Sequence, residues 1–135
     1  MEDWKIKIAV LWLILTIAML VFGTLGVLET GYIEELIAGE IAGVGPLTPE
    51  MNLELAIVML IPLVMAVLSL TLKDSINRWA NIIAGAVFAV LVLADPIIYL
   101  TEQSDYSAYV TLIGIVEFVA AVSIVWFAWK SKQKT

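Results

Sequence analysis

Apolar and polar positions fall in long blocks along this chain. Four mostly apolar runs cover about 6–28, 50–72, 78–99 and 108–129, with polar stretches between them. At about 1.5 Å rise per residue, ~18 or more apolar residues in a helix cross a hydrocarbon core of about 30 Å. The pattern predicts an all-α membrane protein, a bundle of four transmembrane helices forming one domain over 1–135. The first run is longer than the roughly 7–15 residues of a signal-peptide core, and no A-x-A-like cleavage site follows it. It is therefore expected to stay as the first helix.

Local chemistry marks the boundaries. Thr48-Pro49-Glu50 reads as an N-cap, a proline at the first helical position, and an acid facing the positive end of the helix dipole. Asp74 or Ser75 can cap the third helix, and Ser104 or Asp105 the fourth. Asp95-Pro96 predicts that the third helix stops near Ala94, followed by a short turn of helix from Pro96 to Leu100. Pro62 sits mid-helix and is expected to free a carbonyl one turn earlier and to kink the second helix. The stretch YIEELIAGEIAG (32–43) spaces Ile33, Leu36, Ile37 and Ile41 helically. It predicts a short amphipathic helix on the surface of the bundle in the first outer connection, ended by Gly43, Gly45 and Pro46. The very short link between the second and third helices predicts that they pack as antiparallel neighbours.

Composition sharpens this picture. The chain is 62% hydrophobic and only 15% charged, with a mean hydropathy of +1.03, more apolar side chain than a soluble domain of this size can hide. All seven basic residues fall on one side of the predicted bilayer: Lys5, Lys7, Lys73, Arg78, Lys130, Lys132 and Lys134. The connections at about 29–49 and 100–107 have none, so the positive-inside rule predicts a plasma-membrane protein with both termini cytoplasmic. The five tryptophans lie towards the basic side, while Tyr32, Tyr99, Tyr106 and Tyr109 lie towards the other, as two interfacial belts. The net charge of −6 argues against nucleic acid as a partner. Cysteine and histidine are absent, which removes disulfides, thiolate or imidazole metal sites, and Ser-His-Asp or Cys-His catalysis. With no Walker loop, dinucleotide fingerprint or zinc-protease motif either, no enzyme activity and no cofactor are expected.

EELIAGEIAG (34–43), LSLTLKDSINRWANIIAG (68–85) and GIVEFVAAVSIVWFAWK (114–130) together resemble an uncharacterised family of small four-helix membrane proteins of bacteria and archaea. More distantly, the layout is similar to that of DoxX-like membrane proteins. The resemblance implies the fold and brings no activity or catalytic set.

Two groups of residues could carry chemistry. Glu34, Glu35, Glu40, Glu54 and Asp95, with Glu29, Glu50, Glu102 and Asp105, belong to or near an outer face that holds acids and no base. They form either a vestibule for a proton or a hard cation, or the solvated side that positive-inside asymmetry leaves to acids. Glu117 is different, because it lies near the middle of the fourth run, with Gly114 one turn before it and Ala120 and Ala121 one turn after. Such a small-residue face admits a neighbouring helix, so Glu117 is expected to point into the bundle, where the neutral acid is favoured. Three readings stay open. Glu117 hydrogen-bonds a neighbouring helix, with Thr16 or the carbonyl freed by Pro62 as partner; or it lines an outward-facing acidic cavity that handles a proton, cation or small solute; or it fixes pairing with a second copy or another membrane subunit. At the opposite side, Arg78 with Asn77 and Asn81 could contact a lipid phosphate of the surrounding bilayer, against the plainer reading of an interfacial arginine beside Trp79.

Overall fold

A computed structural model of the chain describes residues 2–41 and 44–131. Lys132 and Lys134, and the Ala42-Gly43 end of the expected amphipathic segment, lie outside the described residues. Four helices are long and apolar enough to cross a membrane: Asp3–Gly26, Pro49–Thr71, the broken span Asp74–Thr101, and Ser107–Lys130. This is a membrane protein.

The elements are α1 (Asp3–Gly26), α2 (Tyr32–Ala38), β1 (Glu40–Ile41), β2 (Gly45–Pro46), α3 (Pro49–Thr71), α4 (Asp74–Leu91), α5 (Ala94–Thr101) and α6 (Ser107–Lys130). Thr48 caps α3 as its sequence predicts, its hydroxyl accepting from the Met51 amide at 3.2 Å. α4 has no side-chain cap. Asp74, read as a candidate cap, lies inside the first turn and pairs with Lys5 at 2.6 Å. Ser104 accepts from the Tyr106 amide at 3.1 Å, one turn ahead of α6. The amphipathic helix is shorter than its apolar spacing suggests. It ends at Ala38 because Gly39 turns left-handed at φ 75°, and a two-stranded antiparallel ribbon follows, pairing Glu40 with Pro46 and Ile41 with Gly45. α2 buries none of its residues against the chain, and Ile37 is 81% exposed, which leaves that face for the bilayer surface.

The four spans pack as a bundle, as the sequence predicts, but unevenly. The broad contacts run in a row, α3–α1–α6–α4, with α5 laid on α6, and a narrower α3–α4 contact with Ser69 bonded to Asn77 and Asn81 closes the basic half. The expected α3–α4 pairing is confined to the region of their turn. The reason lies in side-chain size. α6 presents Gly114, Ala120, Ala121 and Ala128 among its buried residues, and α4 approaches it through Gly85. A β-carbon on Gly85 would stand 2.9 Å from the Val125 side chain and 3.3 Å from the Ala121 carbonyl oxygen. The close approach available to α4 is thus towards α6. α1 turns the large Trp4, Ile8, Trp12 and Leu15 inward and serves as the wide element between α3 and α6. α3 buries only Pro62, Met65, Ala66 and Ser69, so its first half stands clear of the chain.

The basic half is tied by a buried polar network. Trp12 Nε1 donates to Asn81 Oδ1 at 2.7 Å, and Ser69 Oγ donates to the same oxygen at 3.1 Å. Asn81 Nδ2 donates to Asn77 Oδ1 at 2.6 Å and to the Asn77 carbonyl at 2.8 Å, while Asn77 Nδ2 donates to the Ser69 carbonyl at 2.7 Å. Trp12, Ser69, Asn77 and Asn81 are all fully buried, so α1, α3 and α4 meet where every amide donor has an acceptor.

Candidate functional site

α6 carries a buried stripe at Val110, Gly114, Glu117, Ala121, Ile124 and Ala128, spaced four and three residues apart. That spacing keeps one face of a helix against its neighbours. Glu117 therefore points into the row, 9% exposed, about 15 Å along the axis from the start of α6. Among the described residues it makes no hydrogen bond. The Thr16 hydroxyl turns back to the Trp12 carbonyl of its own helix at 2.8 Å. Pro62 is buried on α3, whose main partner is α1. Neither supplies Glu117 with a bond.

Asp95 is the charged group within electrostatic reach of it. The third span breaks at Val92-Leu93 and resumes as α5, two to three residues earlier than Asp95-Pro96 predicts. Pro96 then seats against Gly114, where a side chain would collide with it. This contact sets α5 on α6 at a level where the Asp95 carboxylate lies within electrostatic reach of Glu117. Asp95 itself is exposed on the flank of the row.

One turn beyond Asp95, the hydroxyl of Tyr99 donates to Glu29 at 3.0 and 3.1 Å to its two carboxylate oxygens. Tyr109, from α6, donates to the same carboxylate. Glu29 follows the end of α1, so one acid gathers α1, α5 and α6 at the acid end. Beside it the Thr30 amide donates to the Tyr106 hydroxyl at 3.0 Å, and Phe22 stacks at a tilt on Tyr109 with ring centroids 6.3 Å apart. Tyr99 also lies within electrostatic reach of Asp95. From the acid end inwards the order is Glu29, Tyr99, Asp95, Glu117. Among the described residues no lysine or arginine pairs with any of them.

Of the acids singled out in sequence, only Asp95 joins Glu117. Glu34 and Glu35 ride on α2, Glu40 is in the ribbon, and Glu54 is exposed on α3. Among the described residues no three acids come close enough to hold a metal ion. Sequence reading placed Glu29 only among the outer-face acids and cast Tyr99 and Tyr109 only as belt residues. The available signal was spacing, since Tyr99 follows Asp95 by one turn and Tyr109 precedes Glu117 by two.

The DUF6326 family, described as a family of unknown function, matches residues 1–135. The chain belongs to this family. No curated protein and no solved structure matches it.

The basic end of this DUF6326 protein corrects one further expectation. Asn77 and Asn81 are enclosed in the network and reach no lipid. Only Arg78 of that trio is left at the surface, its guanidinium carbon 4.9 Å from the Trp79 ring centroid and 5.3 Å from that of Trp129.

Proposed function

We propose that this DUF6326 protein handles a proton or a small cation at the Asp95–Glu117 pair, taken from an acid end that faces outward, with both termini in the cytoplasm of a plasma-membrane protein. One observation carries the reading: Glu117, nine-tenths buried at mid-span, lies within electrostatic reach of Asp95 and makes no hydrogen bond among the described residues. Ionisable groups within membrane spans are costly and concentrate on ion and proton pathways. The buried polar groups Trp12, Ser69, Asn77 and Asn81 satisfy one another, as structural groups do. Glu117 lacks such partners. Two carboxyls within electrostatic reach of each other and without a basic neighbour make a site that a single positive charge neutralises, and the exposed Asp95 connects it to the flank beneath the acid end. The clustering of basic residues at the other end supports the orientation.

A second reading, an accessory subunit of a membrane assembly, is favoured by the first half of α3, which stands clear of the chain. The two separate in proteoliposomes under a pH gradient or a monovalent-cation gradient. Transport predicts flux that Glu117→Gln and Asp95→Asn abolish. Flux equal in all three proteins, or absent from the wild type, would sink the transport reading.

A further inference from the structure

Arg78 carries an inference independent of the acid pair. It lies in the second turn of α4, with its guanidinium against the rings of Trp79 and Trp129. Indole faces attract a guanidinium, and two of them hold it in a fixed plane. Its Nε is enclosed by protein and donates to nothing, while its terminal amines are not enclosed. Among the described residues no carboxylate pairs with it, and the polar groups nearby are already committed. Asp74 is paired with Lys5 at 2.6 Å, and Asn77 and Asn81 belong to the buried network. A planar cation with free terminal donors and no acceptor is therefore held at the basic end.

A phosphate is the acceptor that such a fork fits end-on, through its two terminal nitrogens. The side-on approach through Nε is closed, because that atom is enclosed by protein. The location decides what brings the phosphate. Trp79 and Trp129 are 50% and 55% exposed on the flank of the row, and tryptophan rings settle at headgroup level in a bilayer. A ligand reaching the terminal amines lies beside those rings, at headgroup depth. Charge narrows it further, because Lys130 lies over Trp126 at the same end of α6, 5.9 Å from that ring's centroid. Two cations disfavour a headgroup that carries its own ammonium and favour a net negative one. We propose that Arg78, Trp79 and Trp129 form a binding site for the phosphate of an anionic phospholipid in the leaflet at the basic end.

Native mass spectrometry of the protein in uncharged detergent tests this directly, with phosphatidylglycerol, phosphatidylcholine or inorganic phosphate added in turn. The wild type is expected to retain one phosphatidylglycerol at saturation, and neither phosphatidylcholine nor inorganic phosphate. Arg78→Gln is expected to bind it roughly tenfold more weakly, the loss of a charge-assisted hydrogen bond, with Arg78→Lys in between. Equal retention by wild type and Arg78→Gln would overturn the site. Saturation by inorganic phosphate at equal concentration would transfer it to a soluble ligand and overturn the lipid assignment. Should the variants fail to fold, the wild type still decides: equal retention of phosphatidylglycerol and phosphatidylcholine removes the proposal.

Discussion

Pro96 sits so close to Gly114 that a β-carbon on the glycine would stand 2.3 Å from the proline Cγ. The α5–α6 contact, and with it the position of Asp95 within electrostatic reach of Glu117, depends on that missing side chain. Gly114→Ala is expected to push α5 outward and to cost about 1–3 kcal/mol of stability, as overpacking does. Pro96→Ala removes the colliding atom and should recover much of the loss in the double variant. Thermal unfolding of the four proteins in detergent gives the coupling, and additive losses would show that the two residues act separately.

Asn81 accepts from Trp12 and Ser69 at one oxygen and donates to Asn77. Asn81→Leu strands the buried Trp12 N–H, whereas Ser69 keeps its bond to the Met65 carbonyl at 2.6 Å, and the cost is roughly 1–3 kcal/mol. The Trp12–Asn81 bond alone should be worth less, about 0.6 kcal/mol being usual for an interhelical bond within a membrane. A double-mutant cycle with Trp12→Phe measures it, and a coupling of zero would remove the bond from the account of stability.

Glu117 should behave in the opposite sense. Because it has no hydrogen bond to lose, Glu117→Leu is expected to leave the unfolding midpoint unchanged or raise it. A fall equivalent to more than about 1 kcal/mol would reveal an interhelical bond and favour glue over exchange.

The four spans were legible because bilayer thickness imposes a run length that nothing else in the chain mimics. The inward direction of Glu117 was legible from Gly114 and Ala121 beside it, since small residues mark close approach on one helix. Three things were hidden. Helix order in the row depends on which faces fit, and a short α3–α4 link does not reveal that Gly85 fits α6 better than α3 does. Asn77 and Asn81 read as surface groups because they flank Arg78 in sequence, although a helix turns Asn77 about 100° and Asn81 about 60° away from it, both to the same side. The convergence of Tyr99 and Tyr109 on Glu29 joins residues 70 and 80 positions apart, beyond the reach of any local pattern.

The tyrosine pair on Glu29 leads to a local prediction. Glu29→Ala should loosen the end of α1 and the Thr30–Gly39 segment while leaving the spans folded. Hydrogen–deuterium exchange is expected to rise there and to stay flat across α4 and the basic half of α6. A rise spread evenly over the chain would show the clamp to be part of the core.

Orientation is open to a direct test, because the chain has no cysteine of its own. Glu102→Cys, at the acid end, should react with an impermeant maleimide on intact cells. Asp3→Cys, at the basic end, should react only after the membrane is opened. The reverse pattern would place the acid end, and access to Asp95, in the cytoplasm.

The row order α3–α1–α6–α4 has a bearing on biosynthesis. α1 is made before the other three spans, yet one of its two broad partners, α6, is made after them. The same late helix carries the seats for α4 and α5. Contacts between α1 and α6 cannot form until α6 has been made. Until then Trp12 and Asn81 can already meet, and the basic half can assemble as a three-helix intermediate. Glu117 arrives afterwards, so the acidic pair is created in the final step of assembly, and a chain cut short before α6 never holds it.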